Sequence, residues 1–204
     1  MRNQGVIPTR RAPVRTFGPG GQIYAANLVG GFKLVSGQKT YDFFDIAESS
    51  PDIWSKVLTN LKEAGKIGNS MTFISKQYAL RFAKVDGTIA SAAEVAALID
   101  FLIGSRVELY VGSNQTKVSE LDLSHFLNLV NISTDAASVA LPINQSAWVS
   151  LQGVLQQGLE QNTEISGKVF CNLPTGTPAA LGMVDAVNPK FICKFIVAGE
   201  KQTK

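Results

Sequence analysis

His125 is the one histidine in the 204 residues, set in the run Leu123-Ser124-His125-Phe126-Leu127. An imidazole can act as a general base, a proton shuttle or a metal ligand, but each role needs partners. No Gly-x-Ser-x-Gly elbow accompanies it. Cys171 and Cys193 are too few and too far from it for a zinc set. Both cysteines stand in apolar, strand-like runs and read as small buried hydrophobes. A disulfide between them would need facing Cβ atoms, which spacing along a chain does not decide. Glu120 and Asp122 share a face if their segment is extended, and paired carboxylates can do acid–base work or hold Ca²⁺. Two acids two residues apart also arise by chance. No phosphate loop is present, and Gly18, Gly20 and Gly21 precede no helix signal. The chemistry expected is therefore none: no enzyme, no cofactor, no metal and no small-molecule substrate.

The charges point elsewhere. Net charge is only +3, yet Arg2, Arg10, Arg11, Arg15, Lys33 and Lys39 precede the first acid, Asp42. Pro8, Pro13, Gly18, Pro19 and Gly20 punctuate the same region. Such a segment has too little apolar surface to offset its ordering entropy, so residues 1–22 are expected to form a basic arm. Its arginines suit contact with nucleic acid, an anionic membrane or a neighbouring subunit. Residues 23–204 are expected to form one domain, a length able to bury a full core. With 45% hydrophobic and 17% charged residues the whole chain is charge-poor, and exposed apolar surface marks contacts with partners.

The longest apolar run, 95–103, is interrupted by Asp100 and falls short of the ~20 residues of a membrane span. The arginines near the N-terminus are followed by Pro and Gly, unlike a signal peptide. The glycosylation patterns at Asn114, Asn131 and Asn144 are accordingly taken as incidental, and synthesis in a host cytoplasm is expected.

Period-two patterns predict strands over 40–46, 71–85, 106–112, 116–121, 138–143, 147–151, 164–172 and 190–197. In 71–85, Thr72, Ile74, Tyr78, Leu80 and Phe82 share one face, interrupted by Lys76, which predicts a long strand with a bulge or a twist. In 190–197 both faces are apolar, which predicts burial on both sides. Residues 22–39 read only as an extended approach punctuated by Gly30, Gly31 and Gly37. A first helix is expected from the Ser50 cap and Pro51 to Gly65, burying Ile53, Trp54, Val57, Leu58 and Leu61. A second has the capping box Ser91/Glu94, the face Val95, Leu98, Ile99, Leu102 and Ile103, and a stop at Gly104. Pro174, Gly176 and Pro178 mark a loop. The expected fold is mainly β: a jelly-roll-like sandwich or barrel of about eight strands, two short helices in its connections and an extended N-terminal arm.

The stretch Leu98-Ile99-Asp100-Phe101-Leu102-Ile103-Gly104-Ser105-Arg106-Val107-Glu108-Leu109-Tyr110-Val111-Gly112, continued by Leu121-Asp122-Leu123-Ser124-His125-Phe126-Leu127, resembles a segment of vertical jelly-roll capsid proteins. These belong to tailless icosahedral bacterial viruses, often with an internal membrane. In that family a short apolar helix leads into a strand with alternating aliphatic residues, a turn, and a second pair of spaced leucines. The match spans about 30 of the 204 residues. The resemblance implies a virion protein that assembles with copies of itself and other virion proteins into a shell. It also implies that the arm, with Arg2, Arg10, Arg11 and Arg15, faces inward to genome or membrane. The length suits a single jelly roll, as a coat, penton or minor protein. Two alternatives stand beside it: a phage tail-tube, baseplate or decoration protein, and a β-sandwich module binding carbohydrate or nucleic acid.

Overall fold

The computed structural model describes residues 21–68, 71–127, 149–150, 158–159, 163–182 and 189–203. Its strands are β1 (Gln22–Lys33), β2 (Thr40–Phe43), β3 (Met71–Lys84), β4 (Ser105–Val111), β5 (Thr116–Asp122), β6 (Val149–Ser150), β7 (Gly158–Leu159), β8 (Ile165–Cys171) and β9 (Phe191–Thr203). The helices are α1 (Ser55–Leu58) and α2 (Ala92–Ile103), with 3-10 turns at Leu123–Phe126 and Ala179–Leu181. One sheet runs β1-β9-β3, and the two-residue strands β6 and β7 add to the far side of β3. The other runs β2-β8-β4-β5. Every pairing is antiparallel. The chain is thus mainly β, an antiparallel two-sheet sandwich.

Aromatic rings join the two sheets. Phe195 of β9 meets Phe43 of β2 at 5.2 Å and Tyr78 of β3 at 5.2 Å, while Phe32 of β1 stacks on Tyr41 of β2 at 4.6 Å. Phe101 of α2 lies edge-on to Phe82 of the first sheet and Tyr41 of the second, closing the sandwich beside them. Such pairs add about 0.5–1.5 kcal/mol each beyond the area they bury. Cys171 and Cys193 lie in this core as free thiols, as buried small hydrophobes should. The Tyr41 hydroxyl, beneath the core, donates to the Val35 carbonyl (2.9 Å) and pairs with Thr177 (2.7 Å). That bond ties the Pro174–Pro178 turn region to the β1–β2 connection.

Phe43 and Phe44 are consecutive and both fully buried. Neighbours in a regular strand point to opposite faces, so one of them must leave the pattern. Phe44 does so, with φ at 68°, a left-handed conformation costly for a bulky residue. Each ring then lies in a slot made by a glycine. A Cβ on Gly167 would sit 2.1 Å from the tip of Phe43, and one on Gly30 would sit 2.5 Å from Phe44. Gly167→Ala should therefore overpack the core and cost about 2–3 kcal/mol, a fall in Tm of about 5–10 °C. An unchanged melting curve by circular dichroism would mean that Phe43 has room to move.

α2 forms as its caps dictate. The Ser91 side chain accepts from Glu94 N–H, and the Glu94 carboxylate accepts from Ser91 N–H. Its buried face is Val95, Ala97, Leu98, Phe101 and Leu102, whereas the expected member Ile103 is 62% exposed. The stripe is rotated because Phe101 supplies the ring that reaches between the sheets.

The first helix is much shorter than expected. The Asp52 carboxylate accepts from Trp54 N–H (2.9 Å) and pairs with Lys33 (2.9 Å), so residues 52–54 form a side-chain-bonded turn. Beyond Leu58 the chain becomes extended at Thr59, whose hydroxyl bonds β1. Leu58 and Leu61 are buried as expected, but Ile53 and Val57 face solvent.

Of the bulge or twist expected in β3, the structure has a bulge, with a register shift between Ser75 and Gln77. One extra residue changes the facing parity. Hence Phe73, not Ile74, joins Tyr78, Leu80 and Phe82 in the core. β9 has β1 and β3 on its two sides, and Ile192 and Ile196 on its outer face are buried, as are Phe191, Cys193 and Phe195 on the inner. β1, expected only as an extended approach, is a full 12-residue strand. The strand expected at 138–143 lies outside the described residues, and 147–151 is described only at β6.

Candidate assembly surface

The residues that could have carried chemistry are separated by the fold. His125 is exposed on the first 3-10 turn, its Nδ1 3.0 Å from the Asp122 carbonyl, while Leu123 and Phe126 beside it are buried. Cys171 and Cys193 belong to different sheets and are both buried as free thiols. Burial pushes the Cys193 thiol well up, which keeps it protonated. Among the described residues no three of His, Cys, Asp and Glu gather as metal ligands would. No described helix is long and apolar enough to cross a membrane. A shallow hollow near α1 is lined by Glu48, Ser49, Lys56 and Lys62, all on the surface.

Glu120 and Asp122 lie on the outer face of the second sheet, within a lattice of charges. Register sets Lys168 beside Glu108, and Glu108 opposite Glu120. Two carboxylates directly opposed would repel, but cations straddle them. Arg106 Nε lies 3.2 Å from Glu108 and 3.7 Å from Glu120, and Lys117 pairs with both acids. The next ion pair outward is Lys168 with Asp42 at 3.2 Å. The Tyr110 hydroxyl donates to Glu108 and, against the opposing effect of burial, holds its carboxyl below the usual range, helped by Arg106 and Lys117. Arg106 also covers the Phe170 ring at 4.8 Å. Glu108 and Glu120 are thus neutralised by Arg106 and Lys117, which ties β4 to β5 across this face.

The less satisfied surface is at the edge of the first sheet. Ile23 and Tyr24 of β1 are 52% and 38% exposed, next to a strand side that meets no other strand among the described residues. Other exposed apolar residues are Ile53 and Val57 at α1, Ile89 in the β3–α2 connection, and Ile103. The sequence signal for the β1 edge was hidden by Gly30 and Gly31, which interrupt the alternation. Arg2, Arg10, Arg11 and Arg15 of the expected arm lie outside the described residues.

Searches of the chain against protein-family models and against curated proteins gave no match.

Proposed function

We propose that this chain is a structural virion protein with a single jelly-roll fold, which assembles with copies of itself into an icosahedral shell. The observation that carries the reading is the order of strand pairing. β6 and β7 both add to β3, and taken as two pieces of one strand they leave eight. β4 then pairs with β5, β3 with β6 and β7, β2 with β8, and β1 with β9. This is one long antiparallel hairpin, folded over so that β8 also meets β4 and β9 also meets β3. A rolled hairpin of this kind supports the jelly-roll reading, an arrangement found in capsid, lectin and cupin-type domains.

Two further observations favour the capsid among these. The space between the sheets is filled by Phe43, Tyr78, Phe126 and Phe195, where a cupin-type domain keeps its ligand. A carbohydrate or single-stranded nucleic-acid surface relies on exposed aromatic platforms, and among the described residues the large exposed hydrophobics include one aromatic ring, Tyr24. In this reading Arg2, Arg10, Arg11 and Arg15 turn inward and meet genome, membrane or a neighbouring subunit.

Light scattering coupled to size-exclusion chromatography at micromolar concentration and physiological salt should give trimers or larger species, and negative-stain microscopy should show closed particles or flat capsomers. A clean monomer mass overturns the proposal. Open tubes or rings would favour the tail-tube alternative instead.

A further inference from the structure

In an antiparallel strand, alternate residues turn both N–H and C=O to the same side. At a sheet edge, every second residue therefore holds a donor and an acceptor with no strand to meet. On β1 these are the odd-numbered residues. Val29 N–H donates to Asn60 Oδ1 (2.8 Å), and the Val29 carbonyl accepts from the Thr59 hydroxyl (3.1 Å). The Asn27 carbonyl accepts from the Asn60 amide (2.8 Å). Two side chains thus take the place of a neighbouring strand along 27–29. The register of β1 on β9 runs unbroken from Gln22 to Lys33, so the same parity turns the backbone groups of Ile23 and Ala25 to this edge. Among the described residues nothing meets them.

Proteins that stay single blunt such edges with lysine, proline or a bulge. Residues 22–27, Gln-Ile-Tyr-Ala-Ala-Asn, have none of these and no charge. We propose that the open half of β1 pairs antiparallel with the same segment of a second copy, about a two-fold axis at Tyr24. The parity and the Asn60 bond select that register. Centred on Tyr24, Ile23 of each copy faces Ala25 of the other, and all four free donor–acceptor sets are used. Centred on Ala25, Ile23 would face Asn27, whose carbonyl Asn60 already occupies. Because the segment is neutral, self-pairing sets no like charges together, and the contact closes on itself as an isologous interface does. This partner assignment rests on the reading of the chain as self-assembling.

At the axis the two Tyr24 positions form a non-hydrogen-bonded pair, whose Cα separation of about 4.5 Å lies within the range a disulfide spans. In the full-length chain, Tyr24→Cys should give a covalent dimer under mild oxidation, at least about tenfold above the unsubstituted protein, whose two cysteines are buried. Ala25→Pro should lower the oligomer mass by light scattering while keeping the thermal transition, since an edge strand tolerates proline where its N–H faces outward. Oligomers that persist in Ala25→Pro, with no cross-link in Tyr24→Cys, overturn the edge pairing and leave self-assembly standing. Monomers throughout overturn both.

Discussion

Phe195→Ala is expected to destabilise the fold by about 4 kcal/mol, in the range for removing a fully buried ring. Phe195 has no solvent exposure, lies on the central strand of the first sheet, and touches rings from β2, β3 and the 3-10 turn at Leu123–Phe126. Its loss opens a cavity that Phe43 is poorly placed to fill, because that ring is held over Gly167. A domain of this kind has about 5–15 kcal/mol of stability in total. The variant should then melt about 8–15 °C lower, and urea unfolding should show a much reduced midpoint. Phe195→Leu, which keeps most of the volume, should cost clearly less. An alanine variant within 1 kcal/mol of the parent, roughly the cost of an ordinary substitution, would show that the inter-sheet rings do not hold the sandwich together.

Stability should also fall steeply in acid, with Glu94 as the main contributor. Burial alone would raise its pKa. The Lys190 ammonium at 2.9 Å, the Ser91 N–H at 2.7 Å and the Lys84 ammonium at 3.2 Å outweigh that and draw it down to about 2. An unfolded glutamate titrates near 4.3. The folded pKa is the lower of the two, so the stabilisation is complete above the unfolded value and is lost as pH falls from there to about 2. The depression corresponds to about 3 kcal/mol. Asp52 and Glu108 are lowered too, by Lys33 and by Tyr110 respectively, and act in the same direction. The test is accordingly a difference: unfolding free energies of the parent and Glu94→Gln should converge between pH 4.5 and 2. Parallel curves would mean that the carboxylate contributes nothing as an anion. Because Glu94 joins α2 to β3 and to the approach to β9, the acid transition should release α2 and with it Phe101.

Local signals were legible where one residue decides one bond. Ser91 and Glu94 announced α2, and Lys76 marked the irregularity in β3. Signals that depend on distant partners were not. Nothing near Asn60 indicates that its amide would serve β1, and that distant bond is why the first helix ends early. Phe44 read as an ordinary strand residue because its left-handed backbone makes sense only beside Gly30. The charge lattice on the second sheet was legible as two acids, Glu120 and Asp122, but not as a neutralised network, since its cations come from other strands. The β1 edge was missed for the same reason: a strand side is an edge only by virtue of what fails to pair with it.

The position of β9 has a consequence for how the protein is made. Strands β1 and β3 are separated by the whole width of β9, and their mutual contact depends on it. During synthesis, β1 leaves the ribosome some 160 residues before its mate, whose first residue is Phe191. Until then the side of β1 that pairs with β9 has only solvent, a chaperone or another nascent chain to meet. Connections of such long range fold slowly and expose their intermediates to aggregation. Emergence of residues 191–203 is thus the event that commits the first sheet.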